Sequence, residues 1–221
     1  LRIRERAKEL RHTGMVATGH VADLTDATAR QALVDEVLRQ HGHVDVLVNN
    51  AGMSQLGSPE ITGEFASLSD KDWRAALDRN LLTAVGLTRA LLPAMVKRGF
   101  GRVINVASVS GPLVANPRTA PYAAAKAAML GLTRALALET ARHGVTANAV
   151  APGWIATASS SDTELAAGTN TPAGRPGTPN EVAAIIGFLA SRESSYVTGQ
   201  LLVVDGGNTI QEYKGPPEEW Y

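Results

Sequence analysis

Apolar positions recur along this chain in two alternating rhythms: short β-branched runs, and longer stretches in which apolar residues return every three or four positions. Residues 3–12 carry the helical rhythm and stop near Gly14. Residues 15–22 are a short, mostly apolar run with an uneven pattern, read as a strand. Thr25 or Asp26 is placed to cap a helix over 26–41, with Ala29, Leu33, Val34, Val37 and Leu38 on one face. Residues 44–48 form a run of the kind buried on both faces of a sheet, and Asn49-Asn50-Ala51-Gly52 follows at once. Residues 53–68 read as a loop. Ser69 or Asp70 caps a long helix reaching Lys97, with a break or bend near Pro93. Residues 102–107 are the next buried strand, 108–120 a loop, and 121–143 an Ala- and Leu-rich helix. A strand over 145–151 stops at Pro152-Gly153. The polar stretch 156–178 is a loop, Thr178 or Asn180 opens a helix ending near Ala190, and 200–204 is the last strand. The tail, 208–221, is polar and aromatic.

Strands and helices therefore alternate, with short connections. That order predicts an α/β fold: a doubly wound parallel sheet with helices on both faces, in three layers. No repeat and no linker divides the sequence, and 221 residues suit one large domain spanning 1–221. In such sheets ligands bind beyond the carboxyl ends of the strands. Four segments follow a strand end directly: Asp23, residues 49–52, Ser108, and residues 152–157.

Composition narrows the choice of chemistry. Lys plus Arg total 21 and Asp plus Glu total 21, so a chain built mainly for nucleic acid or an anionic membrane surface is not expected. There is no Cys, which removes thiol nucleophiles and Cys-ligated zinc, and the five His form no close metal-binding pair. No run of 18 apolar residues is present and no signal peptide is visible, so a cytoplasmic protein is the expectation.

Tyr122 and Lys126 are the sharpest candidate pair. Their i, i+4 spacing puts them on one helix face, where an ammonium stabilises a phenolate. Ser108, at the end of a strand, is either a hydroxyl that hydrogen-bonds a substrate carbonyl oxygen or an ordinary turn serine. Asn50, Ala51 and Gly52 either admit a ligand to the backbone or simply end a strand. Asn80, mildly unfavourable inside a helix, either holds water or a carbonyl or is a packed polar residue. Pro152, Gly153, Ile155 and Thr157 fit a backbone-lined pocket or a plain loop. Asp23 is a ligand acceptor or a helix cap. Trp73, Trp154 and Trp220 need no functional reading, and Arg118, Arg175 and residues 158–174 read as surface unless they line the mouth of a substrate site.

Taken together, ADLTD (22–26), VLVNNAG (46–52), RNLLT (79–83), INVASVSG (104–111), YAAAK (122–126), NAVAPGWIAT (148–157), RPGTPNEVA (175–183) and VTGQLLVVDGG (197–207) resemble the short-chain dehydrogenase/reductase family, in its order and at its spacing. The resemblance implies a Rossmann-like fold and an oxidoreductase that uses NAD or NADP to interconvert a secondary alcohol and a ketone. It implies that Tyr122 is the acid/base, that Lys126 lowers its pKa and binds the nicotinamide ribose, and that Ser108 orients the substrate. Asn80 would hold a water in a proton relay through Lys126. Asp23 and Leu24 match positions that touch adenine; Asn50, Ala51 and Gly52 match the segment beside the adenosine ribose. Pro152 and Gly153 match the cofactor-lining turn, and Ile155 and Thr157 the positions that fix the carboxamide. The members most similar in character are 3-oxoacyl-[acyl-carrier-protein] reductases. The implied partners are a small-molecule or carrier-bound carbonyl or alcohol and further copies of the chain, as a homotetramer rather than a dimer; the tail residues Tyr213, Trp220 and Tyr221 either reach a neighbour or belong to a frayed terminus.

Two departures from the family pattern stand out. The family's opening strand, TGxxxGxG turn and helix have no counterpart in residues 1–14, so the expectation is a native protein with a βαβ unit ahead of this sequence. Arg2 and Arg4 lie near the region that would select NAD or NADP, and no phosphate is assigned to them. The stretch from Pro152 to Arg175 is also shorter than the family's usual lid, which predicts an open site for a bulky or carrier-bound substrate. The alternative reading is a cofactor-free binding or scaffold protein on the same fold.

Overall fold

The computed structural model describes residues 2–52, 60–212, 214 and 215. The chain divides into two compact units, Leu1–His43 and Val44–Tyr221.

In the first unit, α1 (Arg2–His12) ends with Arg11 and His12 in its last turn, where cations suit the helix carbonyl end. Gly14, at φ +84°, turns the chain. The strand expected over 15–22 does not form; Val16 is 92 % exposed and Val21 65 %. A strand exists only where a neighbour takes its backbone groups, and the uneven pattern gives this run no single face to bury. Asp23 closes a turn instead, its Oδ1 accepting from Thr25 N (2.9 Å) and Thr25 Oγ1 (2.7 Å). The cap of α2 (Ala27–His41) is Asp26, which accepts from Ala29 N.

The second unit is built on four parallel strands, β1 (Val46–Asn49), β2 (Gly101–Val106), β3 (Val145–Pro152) and β4 (Leu201–Val204), adjacent in that order. All four match strands read from the sequence. Side chains alternate across the sheet. Ile104, Val150 and Leu202 face α7 (Pro179–Ala190), packing against Val182 and Leu189. Ala149 and Leu201 belong to the other core, with Ala84 of α4 (Thr83–Arg98) and Met129 of α5 (Ala120–Thr140). The result is three layers, helix–sheet–helix.

Two helical features differ from the sequence pattern. The long helix after Ser69 does not break at Pro93, which lies inside α4. Its irregularity is one π-helical turn, Asp78–Leu82, between α3 (Asp70–Leu77) and α4, and Asn80 sits in it. Such turns are frequent at functional sites. The stretch read as a loop over 156–178 contains a helix, α6 (Asp162–Thr169), opened by a reciprocal cap between Ser161 and Glu164. Tyr213, Trp220 and Tyr221 lie outside the described residues. No helix among the described residues is long and apolar enough to cross a membrane.

A polar chain runs through the buried α5 side of the sheet. Asn105, fully buried on β2, accepts from Asn49 Nδ2 (2.8 Å) and donates through Nδ2 to Thr133 Oγ1 (2.8 Å). Thr133 Oγ1 donates to Met129 O, and Asn49 Nδ2 also reaches Thr88 Oγ1. The chain ties β1, β2, α4 and α5 at one depth. Thr133→Val keeps the shape but strands the Asn105 amide, and is expected to cost about 1–3 kcal/mol. Urea unfolding reads this directly; an unchanged midpoint and slope would show that the chain bears no weight.

Candidate active site

The sheet register brings the strand ends to one edge: Asn49 lies beside Asn105, Val106 beside Val150, and Pro152 beside Val204. A cavity of about 1040 Å³ opens there. Asn50 and Gly52 reach its wall from the end of β1, Ser108 from the end of β2, and Pro152, Gly153, Ile155 and Thr157 from the end of β3. Tyr122 and Lys126 enter from α5. Nine of the candidate residues thus share one cavity. Ala51 is not among its lining residues. Asn80 lines a smaller adjoining cavity of about 10 Å³ with Glu60, Arg79 and Tyr122, on the scale of a single water. Asp23 and Leu24 belong to the first unit.

Each side chain is placed by local backbone constraints. Ser108 is bracketed by Ala107 N, which donates to Val150 O (2.8 Å), and Val109 N, which donates to Pro152 O (3.1 Å). The loop then passes over the first turns of α5 at Gly111, φ +102°, where a Cβ would lie 2.2 Å from Ala123 O; only glycine fits. Gly153 is pressed by Asp205, since a Cβ there would lie 2.6 Å from the Asp205 Cβ. Thr157 Oγ1 shares hydrogen bonds with Ser159 and Ser160. Asn80 Nδ2 donates to Ala76 O (3.0 Å).

The electrostatics centre on α5. Lys126 is 5 % exposed. Its Nζ donates to Val106 O (2.8 Å), contacts Met129 Sδ (3.8 Å), and lies 5.6 Å from the centroid of the Tyr122 ring. Burial pushes its pKa down to about 8. Tyr122 moves the other way. Burial raises its pKa, a side-chain hydrogen bond with Ser108 draws it down, and the negative charges of Glu60 and Glu164 raise it further.

The wall fits a nicotinamide nucleotide in one specific respect. Lys126 has three N–H donors but one oxygen acceptor among the described residues, and ribose hydroxyls would complete its shell. The Ser108 and Tyr122 hydroxyls stand beside it on the same wall.

Glu60, Trp154, Glu164, Asn170, Asn208 and Lys214 also line the cavity and were not singled out as site residues from the sequence. The Ser161-x-x-Glu164 spacing is the capping signal that could have revealed α6, and with it Glu164.

Lys126 makes stability depend on pH. Its folded pKa, about 8, lies below the ordinary 10.5, so the unfolded chain binds more protons between those values and stability rises with pH. Relative to Lys126→Met, the wild-type protein is expected to gain about 2 kcal/mol from pH 7 to pH 9.5. Urea midpoints of both proteins at the two pH values check this; a constant difference would contradict it.

Comparison with known proteins agrees with this geometry. A family model described as enoyl-(acyl carrier protein) reductase matches residues 2–209. Oxidoreductase UcpA of Escherichia coli K12 is 38 % identical over 224 aligned positions, covering 95 % of this chain and 82 % of that protein. The 3-oxoacyl-[acyl-carrier-protein] reductase FabG of Thermotoga maritima is 38 % identical over 198, covering 86 % and 76 %. The crystal structure of a putative gluconate dehydrogenase from Agrobacterium tumefaciens superposes with a TM-score of 0.85 at 31 % identity, over 94 % of this chain and 81 % of that one. With its parallel three-layer fold and the Ser108, Tyr122 and Lys126 wall, the chain belongs to the short-chain dehydrogenase/reductase family of oxidoreductases.

Proposed function

We propose that the protein interconverts a secondary alcohol and a ketone with NAD or NADP, with 3-oxoacyl thioesters or related carbonyl compounds as the substrate class. One observation carries the reading: the hydroxyl residues Ser108 and Tyr122 line one cavity at the strand ends together with a buried ammonium, Lys126. When bound, the nicotinamide supplies or accepts the hydride. The chain supplies the rest. With its pKa raised, Tyr122 holds its proton at neutral pH, which suits a general acid that protonates the carbonyl oxygen during reduction. Ser108 donates to the same oxygen and stabilises the charge developing there. Lys126, with donor positions to spare, would hold the ribose hydroxyls of the cofactor. Ile155 and Thr157 would offer backbone and side-chain groups to the carboxamide, Pro152 and Gly153 would line the cofactor, and Asn50 and Gly52 would border the adenosine ribose.

Asn80 supports the same reading from the second cavity. It shares that space with Tyr122, while Lys126 borders only the larger cavity, so a water held there meets the phenol directly. The reading also extends to a cytoplasmic homo-oligomer, with a tetramer favoured over a dimer. Leu138, on α5, is 86 % exposed and would be covered by a second copy. Sedimentation velocity is expected to give a species of four chains; a monomer at micromolar concentration would rule this out.

Tyr122→Phe is expected to lower kcat for ketone reduction by at least about a hundredfold, the scale of a lost general acid. Far-UV circular dichroism should stay unchanged. Retention of more than a tenth of wild-type turnover would defeat the assignment of Tyr122.

A further inference from the structure

The cavity wall carries four charged side chains among the described residues: Lys126, Lys214, Glu60 and Glu164. Both ammonium groups are engaged with backbone carbonyls, Lys126 with Val106 O and Lys214 with Asn208 O (2.7 Å). Neither carboxylate has a cationic partner among the described residues. Glu164 is fixed in place because its Oε2 accepts from Ser161 N (2.8 Å) and Ser161 Oγ (3.1 Å) as the cap of α6. Among the described residues its Oε1 takes no hydrogen bond, and neither does either oxygen of Glu60. Glu60 also borders the small cavity beside Tyr122, so it flanks the phenol from both spaces.

Glu60 stands at the reacting end, since it shares the small cavity with Tyr122, and Glu164 lines the larger cavity with both. Each raises the Tyr122 pKa, and Glu164 raises that of Glu60, whose largest cause is its own burial. A substrate carboxylate or phosphate beside the reacting carbon would add a third negative charge in a partly desolvated space, where like charges repel more strongly than in water. A neutral hydroxyl, amide or thioester would not. Free carboxylate oxygens also accept from hydroxyl and amide donors. Exclusion by repulsion is as effective a route to specificity as added attraction.

We infer that Glu60 and Glu164 set the substrate class: the cavity takes ketones and alcohols whose groups beside the reacting carbon are uncharged, and rejects those carrying a carboxylate or phosphate there. The inference rests on the reading of this cavity as a carbonyl-reduction site.

The test compares a short 3-oxo acid with its primary amide, which has nearly the same shape and differs in charge. Both are offered to the full chain with reduced nicotinamide cofactor, and both are also measured for binding by ligand-observed NMR, which needs no turnover. Wild-type protein is expected to favour the amide at least tenfold in kcat/KM and in affinity. Glu60→Gln with Glu164→Gln should narrow both ratios to threefold or less; glutamine keeps the helix cap at position 164. Equal use of acid and amide, an unchanged ratio in the double variant, or failure of the amide to bind would overturn the inference. Amide-selective binding without turnover of either compound would uphold it and defeat the carbonyl-reduction reading. Turnover without charge preference would do the reverse.

Discussion

Helix α5 is held on the sheet at two polar points, and the site depends on where they hold it. Thr133 meets Asn105 deep in the layer, and Lys126 Nζ meets the Val106 carbonyl about two turns earlier. Both partners lie on β2, so the helix cannot slide along that strand without breaking a buried hydrogen bond. A buried donor left unpaired costs more than the bond contributes when made, which gives such contacts their power to fix register. Asn105 extends the constraint to β1 through Asn49. Gly111 then lets the loop after Ser108 lie against the α5 backbone. Ser108 and Tyr122 reach one cavity because these constraints agree.

Burial of these groups shapes their acidity in opposite senses. It disfavours the ammonium of Lys126 and the phenolate of Tyr122 alike, bringing the lysine down to about 8 and the tyrosine up. A protonated phenol beside a hydroxyl is ready to donate to a carbonyl oxygen. A lysine with open donor positions is ready for ribose hydroxyls. The π-helical turn at Asn80 adds a side chain and a small cavity behind the phenol, a feature that a regular helix would direct elsewhere.

The sequence exposed some of this and hid the rest for physical reasons. The four strands of the sheet were legible because a strand packed between helix layers needs a short run rich in apolar residues, here closed by turn residues. Tyr122 and Lys126 were legible as a pair because helix geometry fixes what i and i+4 can do. The run at 15–22 misled because pairing is not a local property: apolar residues without a ladder remain exposed, as Val16 is. Helix α6 was hidden because its residues carry little apolar contrast, and only the Ser161–Glu164 cap betrays it. The π turn looks like any helix in a pattern of apolar positions. Glu60 and Glu164 were out of reach, since they lie far apart in the chain and only the folded second unit brings them to one wall.

The central claim is that this wall moves a hydride between nicotinamide and a carbonyl carbon while Tyr122 moves the proton. The most direct measurement follows the hydride itself. Reduced nicotinamide cofactor deuterated at C4, in both the NAD and NADP forms, is incubated with the protein and a panel of uncharged ketones, and the alcohol products are read by mass spectrometry. The account predicts one deuterium, bound to the carbinol carbon, from a single face of the nicotinamide. Alcohol formed without deuterium at that carbon, or no alcohol from any ketone with either cofactor, would contradict it.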